Sequence, residues 1–131
     1  MIVVDTNVIA YLLLPGDFTQ RAEALLKREP DWAAPVLWRS EMRNVLATLL
    51  RQGRLTLPQA TAVQAEAESL LAGAEYSVAS PRVLELSASS DCSAYDCEFV
   101  ALAEVLDVTL YTLDARLLRA FPARTSALPA R

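Results

Sequence analysis

Residues 1–15, MIVVDTNVIAYLLLP, set a carboxylate, Asp5, directly after three aliphatic side chains. A short apolar run rich in β-branched residues reads as a central strand covered on both faces. Asp5 then stands at the strand's carboxyl end. Thr6 or Asn7 caps a helix through Val8, Ile9, Leu12 and Leu13, which Pro15-Gly16 breaks. In open α/β sheets ligands bind at the carboxyl edge, so this stretch predicts both a fold class and the place to look for chemistry.

The same pattern returns near the other end. VTLYTLD (108–114) is a second β-branched run ending on an acid, Asp114, ahead of a short helix ARLLRAF (115–121). DWAAP (31–35) and AEYSVA (74–79) read as shorter strands between them. Helical spacing marks FTQRAEALLKRE (18–29), VLWRSEMRNVLATLLRQG (36–53) closing at Gly53, and PQATAVQAEAESLLAG (58–73) starting at Pro58 and closing at Gly73. PRVLELSASS (81–90) and AYDCEFVALAEVLD (94–107), the latter capped by Ser93, follow. Strands alternating with helices predict a three-layer α/β fold with a mostly parallel sheet, and the tail PARTSALPAR (122–131) reads as an added edge strand or a fraying end. At 131 residues and 53% hydrophobic content, residues 1–131 make one domain with enough apolar surface for a core.

Composition removes several classes of chemistry. No window approaches the length of a membrane span and the N-terminus lacks a signal-peptide pattern, which predicts a cytoplasmic protein. The 0 histidines exclude Ser-His-Asp and Cys-His catalysis and imidazole ligation, and leave Cys92 and Cys97 too few partners for zinc. These two cysteines are expected to be reduced and packed. Lys27 is the lone lysine among 12 Lys and Arg, a poor candidate for Schiff-base or phosphate-loop chemistry. A formal charge of −4 argues against a protein that coats polyanions, but bound divalent cations reverse the local sign where a phosphate sits.

Catalysis then falls to carboxylates. Most of the 16 acids, such as Glu23, Glu66, Glu68, Glu85 and Glu104, fit solvated helix faces. Four do not. Asp5 and Asp114 end apolar strands. Asp96 has Phe99, Val100 and Ala103 at helical spacing, which sets it inside an apolar stripe. Glu41 borders the stripe of Trp38, Met42, Val45, Leu46 and Leu49, with the polar Asn44 one turn further along. Four acids from two strand ends and two helices would repel unless a cation neutralised them, and oxygen ligands alone select Mg²⁺ or Mn²⁺. Such an ion lowers the pKa of bound water and stabilises charge growing on a phosphodiester.

With these residues in view, the chain resembles the PIN-domain family, and within it the VapC-type ribonuclease toxins of type II toxin–antitoxin pairs. The likeness rests on VVDTNVIAYLL (3–13), SEMRNVL (40–46), SAYDCEFVALAEVLDVTLYTLD (93–114) and RLLRAFP (116–122). It implies a PIN-like three-layer α/β/α fold and an acidic catalytic site at Asp5, Glu41, Asp96 and Asp114. It further implies metal-dependent endoribonuclease action on single-stranded or looped RNA, a homodimer, and a small antitoxin that inserts a peptide into the site. Asp5, Asp96 and Asp114 are the expected metal-binding acids, with Asp5 and Asp96 as direct ligands and Glu41 and Asp114 acting more through bound waters. Thr6, Asn7, Asn44, Ser93 and Thr112 match polar positions that support the carboxylates, although Thr6 and Ser93 also fit as simple helix caps. Asp91 reads as an accessory ligand or, more simply, a loop acid.

Arg116, two residues after Asp114, is placed for phosphate, whereas Arg39, Arg43, Arg51 and Arg54 form a helix side turned away from Glu41 that suits a dimer or antitoxin contact. A haloacid-dehalogenase-like phosphatase needs an aspartate where Asn7 stands, and a response-regulator receiver needs a lysine after the last strand. The remaining alternatives are a PIN-fold RNA-processing nuclease without an antitoxin and a non-catalytic PIN-fold binding module. Intact acids count against the second, and the lack of an accessory domain against the first.

Overall fold

The computed structural model describes residues 1–130. Its opening strand β1 (Ile2–Val4) is buried along its whole length, as the apolar run requires. The chain turns at once into α1 (Thr6–Leu13), then α2 (Thr19–Arg28), and returns as β2 (Trp32–Pro35), also fully buried. The longer helices α3 (Trp38–Arg51) and α4 (Leu57–Leu70) lead to a short β3 (Glu75–Tyr76). Helices α5 (Ser80–Ala88) and α6 (Ala94–Leu106) lead to β4 (Leu110–Tyr111), and α7 (Ala115–Ala120) to β5 (Thr125–Ser126).

The five strands form one sheet in the order β3-β2-β1-β4-β5, and every pairing is parallel. Parallel neighbours need crossover connections, which are right-handed, so the helices divide between the two faces. α1 packs with α2, α3 and α4, while α6 packs with α5 and lies against β1, β2 and β4. This is the three-layer α/β arrangement expected from the alternating pattern. From β1 the chain builds outward through β2 to β3, then crosses back to β4 on the other side. The reversal opens a crevice at the carboxyl ends of β1 and β4, where Asp5 and Asp114 follow their strands.

Local chemistry accounts for the ends. Gly53 and Gly73 adopt φ of +70° and +77° after α3 and α4, a conformation in which a Cβ is strained. α4 begins one residue before Pro58, because Thr56 forms a reciprocal capping box with Gln59. α1 is capped by Asp5 and not by Thr6 or Asn7: the Asp5 carboxylate accepts the Val8 N–H at 3.1 Å. Among the described residues the tail supplies the edge strand β5. Arg21 donates to the Leu128 and Pro129 carbonyls at 2.9 and 3.0 Å, and Leu128 is buried. Cys92 and Cys97 are free and buried, as expected. No helix among the described residues is long and apolar enough to cross a membrane.

One polar clamp fixes α3 against the far side of the sheet. Arg39 grips both Glu75 oxygens at 2.6 and 2.7 Å, reaches Glu68 at 3.2 Å, and the Trp38 indole N–H adds a bond to Glu75 at 2.8 Å. Arg39 is therefore committed to the fold and does not join a free basic face with Arg43, Arg51 and Arg54. The Arg39 hydrogen bonds, and next the Trp38 bond, pull the Glu75 pKa below its ordinary value. A depressed carboxyl pKa stabilises the fold above its unfolded value, and that contribution is lost as pH falls through the folded value. Arg39→Leu is accordingly expected to destabilise the protein modestly at pH 7, with the gap from wild type narrowing on acidification toward pH 3. Urea unfolding across that range measures it.

Candidate active site

Four elements deliver one acid each to a single cavity of about 390 Å³ at the sheet's carboxyl edge. Asp5 comes from the end of β1, Glu41 from the first turn of α3, Asp96 from the first turn of α6 and Asp114 from the start of α7. Thr6, Asn7 and Asn44 also line it, and among the described residues no arginine or lysine does. The acids expected from spacing alone are thus brought together.

Asp5 is the most constrained. It is 9% exposed, with one oxygen taking the Val8 N–H and the other a hydrogen bond from the Thr112 hydroxyl. The same hydroxyl oxygen accepts the Asp114 N–H at 3.0 Å, so Thr112 joins the two strand-end acids. Burial pushes the Asp5 pKa up to about 6 against those two bonds, and the charges of Asp114 and Glu41 add to the rise. Glu41 is half-buried and receives the Thr6 hydroxyl at 2.7 Å. Its pKa is raised by burial first and then by the charges of Asp96 and Glu98.

Asp114 caps α7, one oxygen receiving the Arg116 and Leu117 N–H groups at 2.8 and 3.3 Å. Asp96 is half-buried and not enclosed in the apolar stripe, which is carried by its buried neighbours Cys97, Phe99 and Val100. It sits at the stripe's border in the first turn, where the helix dipole favours an anion. Among the described residues nothing donates a hydrogen bond to its carboxylate.

The supporting polar residues divide. Thr6 and Thr112 bond directly to Glu41 and Asp5; Asn7 and Asn44 are exposed on the cavity wall without a bond to the acids. Ser93 is a helix cap, accepting the Asp96 N–H at 3.1 Å. Asp91 and Arg116 do not line the cavity; both are exposed and stand 3.8 Å apart as a loose ion pair, so Asp91 is a loop acid. Sequence spacing did not single out Ser40 and Tyr95, which line the cavity beside Glu41 and Asp96. Tyr95 is 64% exposed, an unusual cost for an aromatic ring and the one signal that marks it.

The donor set fits a hard divalent cation: carboxylates and hydroxyls, without imidazole, thiolate or a competing basic side chain. Among the described residues no three acids stand close enough to form a preformed cage. Mg²⁺ is commonly held by one or two carboxylates with water in its remaining positions, so such a cage is not required.

A family model for the PIN domain matches residues 2–121. The chain belongs to the PIN domain family. PIN domains are in general nucleases. No curated protein matches this chain in sequence. Among solved structures it is similar to FitAcB from Neisseria gonorrhoeae, with 22% identity and a TM-score of 0.74 over 98% of this chain and 97% of that one. A toxin-antitoxin complex from Klebsiella pneumoniae gives 15% identity and a TM-score of 0.71 over 96% of each chain. VapBC2 from Rickettsia felis, bound to a DNA fragment from their promoter, gives 16% and 0.70 over 98% of this chain and 100% of that one. At these identities the likeness establishes the PIN fold.

A carboxyl whose pKa is raised in the folded state binds more protons there than in the unfolded chain. For Asp5, stability therefore falls as pH rises between about 4 and about 6, and the cost is fully present above about 6. Asp5→Asn keeps the shape and removes the charge. In chelator at pH 7.5 it is expected to stabilise the fold by up to about 3 kcal/mol, with the difference vanishing near pH 4. Denaturant melts at the two pH values measure it.

Proposed function

We propose that this PIN domain is a divalent-metal-dependent endoribonuclease acting as the toxin of a toxin–antitoxin pair. The observation that carries the reading is the cavity that gathers Asp5, Glu41, Asp96 and Asp114 with no basic side chain among the described residues of its walls. Family membership supports nuclease chemistry, and the toxin-antitoxin complex among the similar structures supports the assignment of the pair.

A bound Mg²⁺ or Mn²⁺ supplies Lewis-acid stabilisation of the phosphodiester and a more acidic water. The chain's own part is positioning. Val8 and Thr112 hold Asp5 in one orientation, and the first N–H groups of α7 hold Asp114. Asp5 and Asp96 would hold the ion directly. Glu41, steadied by Thr6 and raised in pKa, takes the proton from the attacking water, and Asp114 orients that water. Arg116 serves the phosphate once released from its loose contact with Asp91. The pairing partners are a small antitoxin that places a basic side chain among the carboxylates and a second copy of the chain.

Purified protein is expected to cut single-stranded RNA with Mg²⁺ or Mn²⁺ and to lose that activity in excess chelator and in Asp5→Asn. Alanine at Asp5 or Asp96 should raise the metal concentration for half-activity about 10–100-fold, while Asp114→Ala lowers the rate more than the metal affinity. Cleavage rates combined with calorimetric metal titrations test both; full cleavage in chelator overturns the reading.

Expressed without a partner, the wild-type chain should arrest growth and Asp96→Ala should not. Equal harmlessness of the two removes the toxin assignment while leaving the nuclease.

A further inference from the structure

A second groove, of about 330 Å³, runs between α3 and the turn that joins α1 to α2. Its size falls within the range of small-ligand sites. Asn7 and Val45 line both this groove and the acidic cavity, so the two are contiguous.

The groove's walls differ in kind from the cavity's. Tyr11 and Phe18 meet with ring centroids 5.0 Å apart at 51°, and Phe18 is 40% exposed. The Arg21 guanidinium lies 6.0 Å from the Phe18 centroid. Arg54 also lines the groove, is exposed, and has no ion-pair partner among the described residues. The turn carrying Phe18 is tied down by the Thr19 side chain. Its hydroxyl reaches the Tyr11 and Leu14 carbonyls at 2.8 and 3.1 Å and accepts the Gly16 N–H at 3.0 Å. The aromatic pair is thereby held in place before any ligand arrives, which limits the entropy lost on binding.

We propose that this groove is a subsite for single-stranded RNA, in which an unstacked base lies on Phe18 while Arg54 holds a neighbouring phosphate. The proposal rests on the nuclease reading of the acidic cavity. Among the described residues that cavity has no cationic wall of its own, so beyond Arg116, which stands outside it, a strand crossing it gains a further hold from the neighbouring groove. A part-exposed aromatic ring, bracketed by Tyr11 and the Arg21 guanidinium, in the same groove as an arginine without an ion-pair partner among the described residues supplies the pair of chemistries by which proteins grip single strands without reading a duplex. An apolar peptide in the same place would cover Phe18 but leave Arg54 without a partner. Asp17 also lines the groove and is exposed, and its charge repels a phosphate placed near it, which leaves Arg54 as the phosphate's anchor.

The test is fluorescence anisotropy with a labelled single-stranded octaribonucleotide and the full chain, in chelator to prevent cleavage. Phe18→Ala should weaken binding about 5–100-fold and Phe18→Trp should retain it. Arg54→Ala should lower the slope of log affinity against log salt by about 0.7, whereas Phe18→Ala leaves the slope unchanged. Wild type failing to bind the RNA, or binding unchanged in Phe18→Ala and Arg54→Ala, overturns the proposal. Unchanged RNA affinity with weakened capture of a co-expressed neutralising protein overturns it in favour of protein docking. Binding losses in a protein that cleaves nothing with metal present would sustain the subsite and sink the nuclease. Cleavage with an unaltered KM in both variants would do the reverse.

Discussion

The Asp5 carboxylate, buried between β1 and β4, is the constraint on which the rest of the site depends. One oxygen closes the first turn of α1 through Val8, and the other is held by Thr112 at the end of the neighbouring strand. Each bond is also a structural tie. Together they fix the angle at which α1 leaves the sheet and the distance between the two strand ends. The charge that makes the position chemically useful is the same charge that burial disfavours, so the fold carries a local cost at a buried carboxylate.

The remaining acids are arranged around that point by helix ends. Asp96 and Glu41 occupy first turns, and Asp114 caps α7, so each sits where unsatisfied backbone N–H groups lend positive potential. This partial compensation lets four carboxylates line one cavity without any arginine or lysine among the described residues of its walls. Helix termini soften the repulsion without filling the space a cation or a substrate would take. Of the basic side chains two residues from these acids, Arg39 clamps Glu75 and Arg116 faces Asp91, while Arg43 lines a separate groove between α3 and α4.

Much of this was legible in the sequence because the signals were periodic. A β-branched run ending on an acid, met twice, marks both strand ends at the crevice, and helical spacing marks Glu41 and Asp96. Where expectation and structure part, the cause is tertiary. Asp5 caps α1 because its strand ends one residue before the helix, a register that spacing does not reveal. Asp96 is only half-buried because its neighbours Cys97 and Phe99 take the core. Arg39 looked free because its partner Glu75 lies on a strand of only two residues, distant in sequence. Ser40, Tyr95 and the groove beside Phe18 carry no pattern at all, since they are defined by which loops and helices meet.

The all-parallel sheet also imposes an order in time. Asp5 meets Thr112 across a sequence separation of 107 residues, with no shorter hairpin route to that pairing. At ordinary rates of synthesis, about 5–20 s pass between the emergence of the first acid and of its strand-end partner. Throughout that interval β1 lacks its β4 neighbour, and α7, with its capping acid Asp114, has not yet formed. A nascent chain is therefore without its complete acidic cavity until β4 and α7 have been made, and termination of translation before β4 yields a fragment that cannot assemble the cavity.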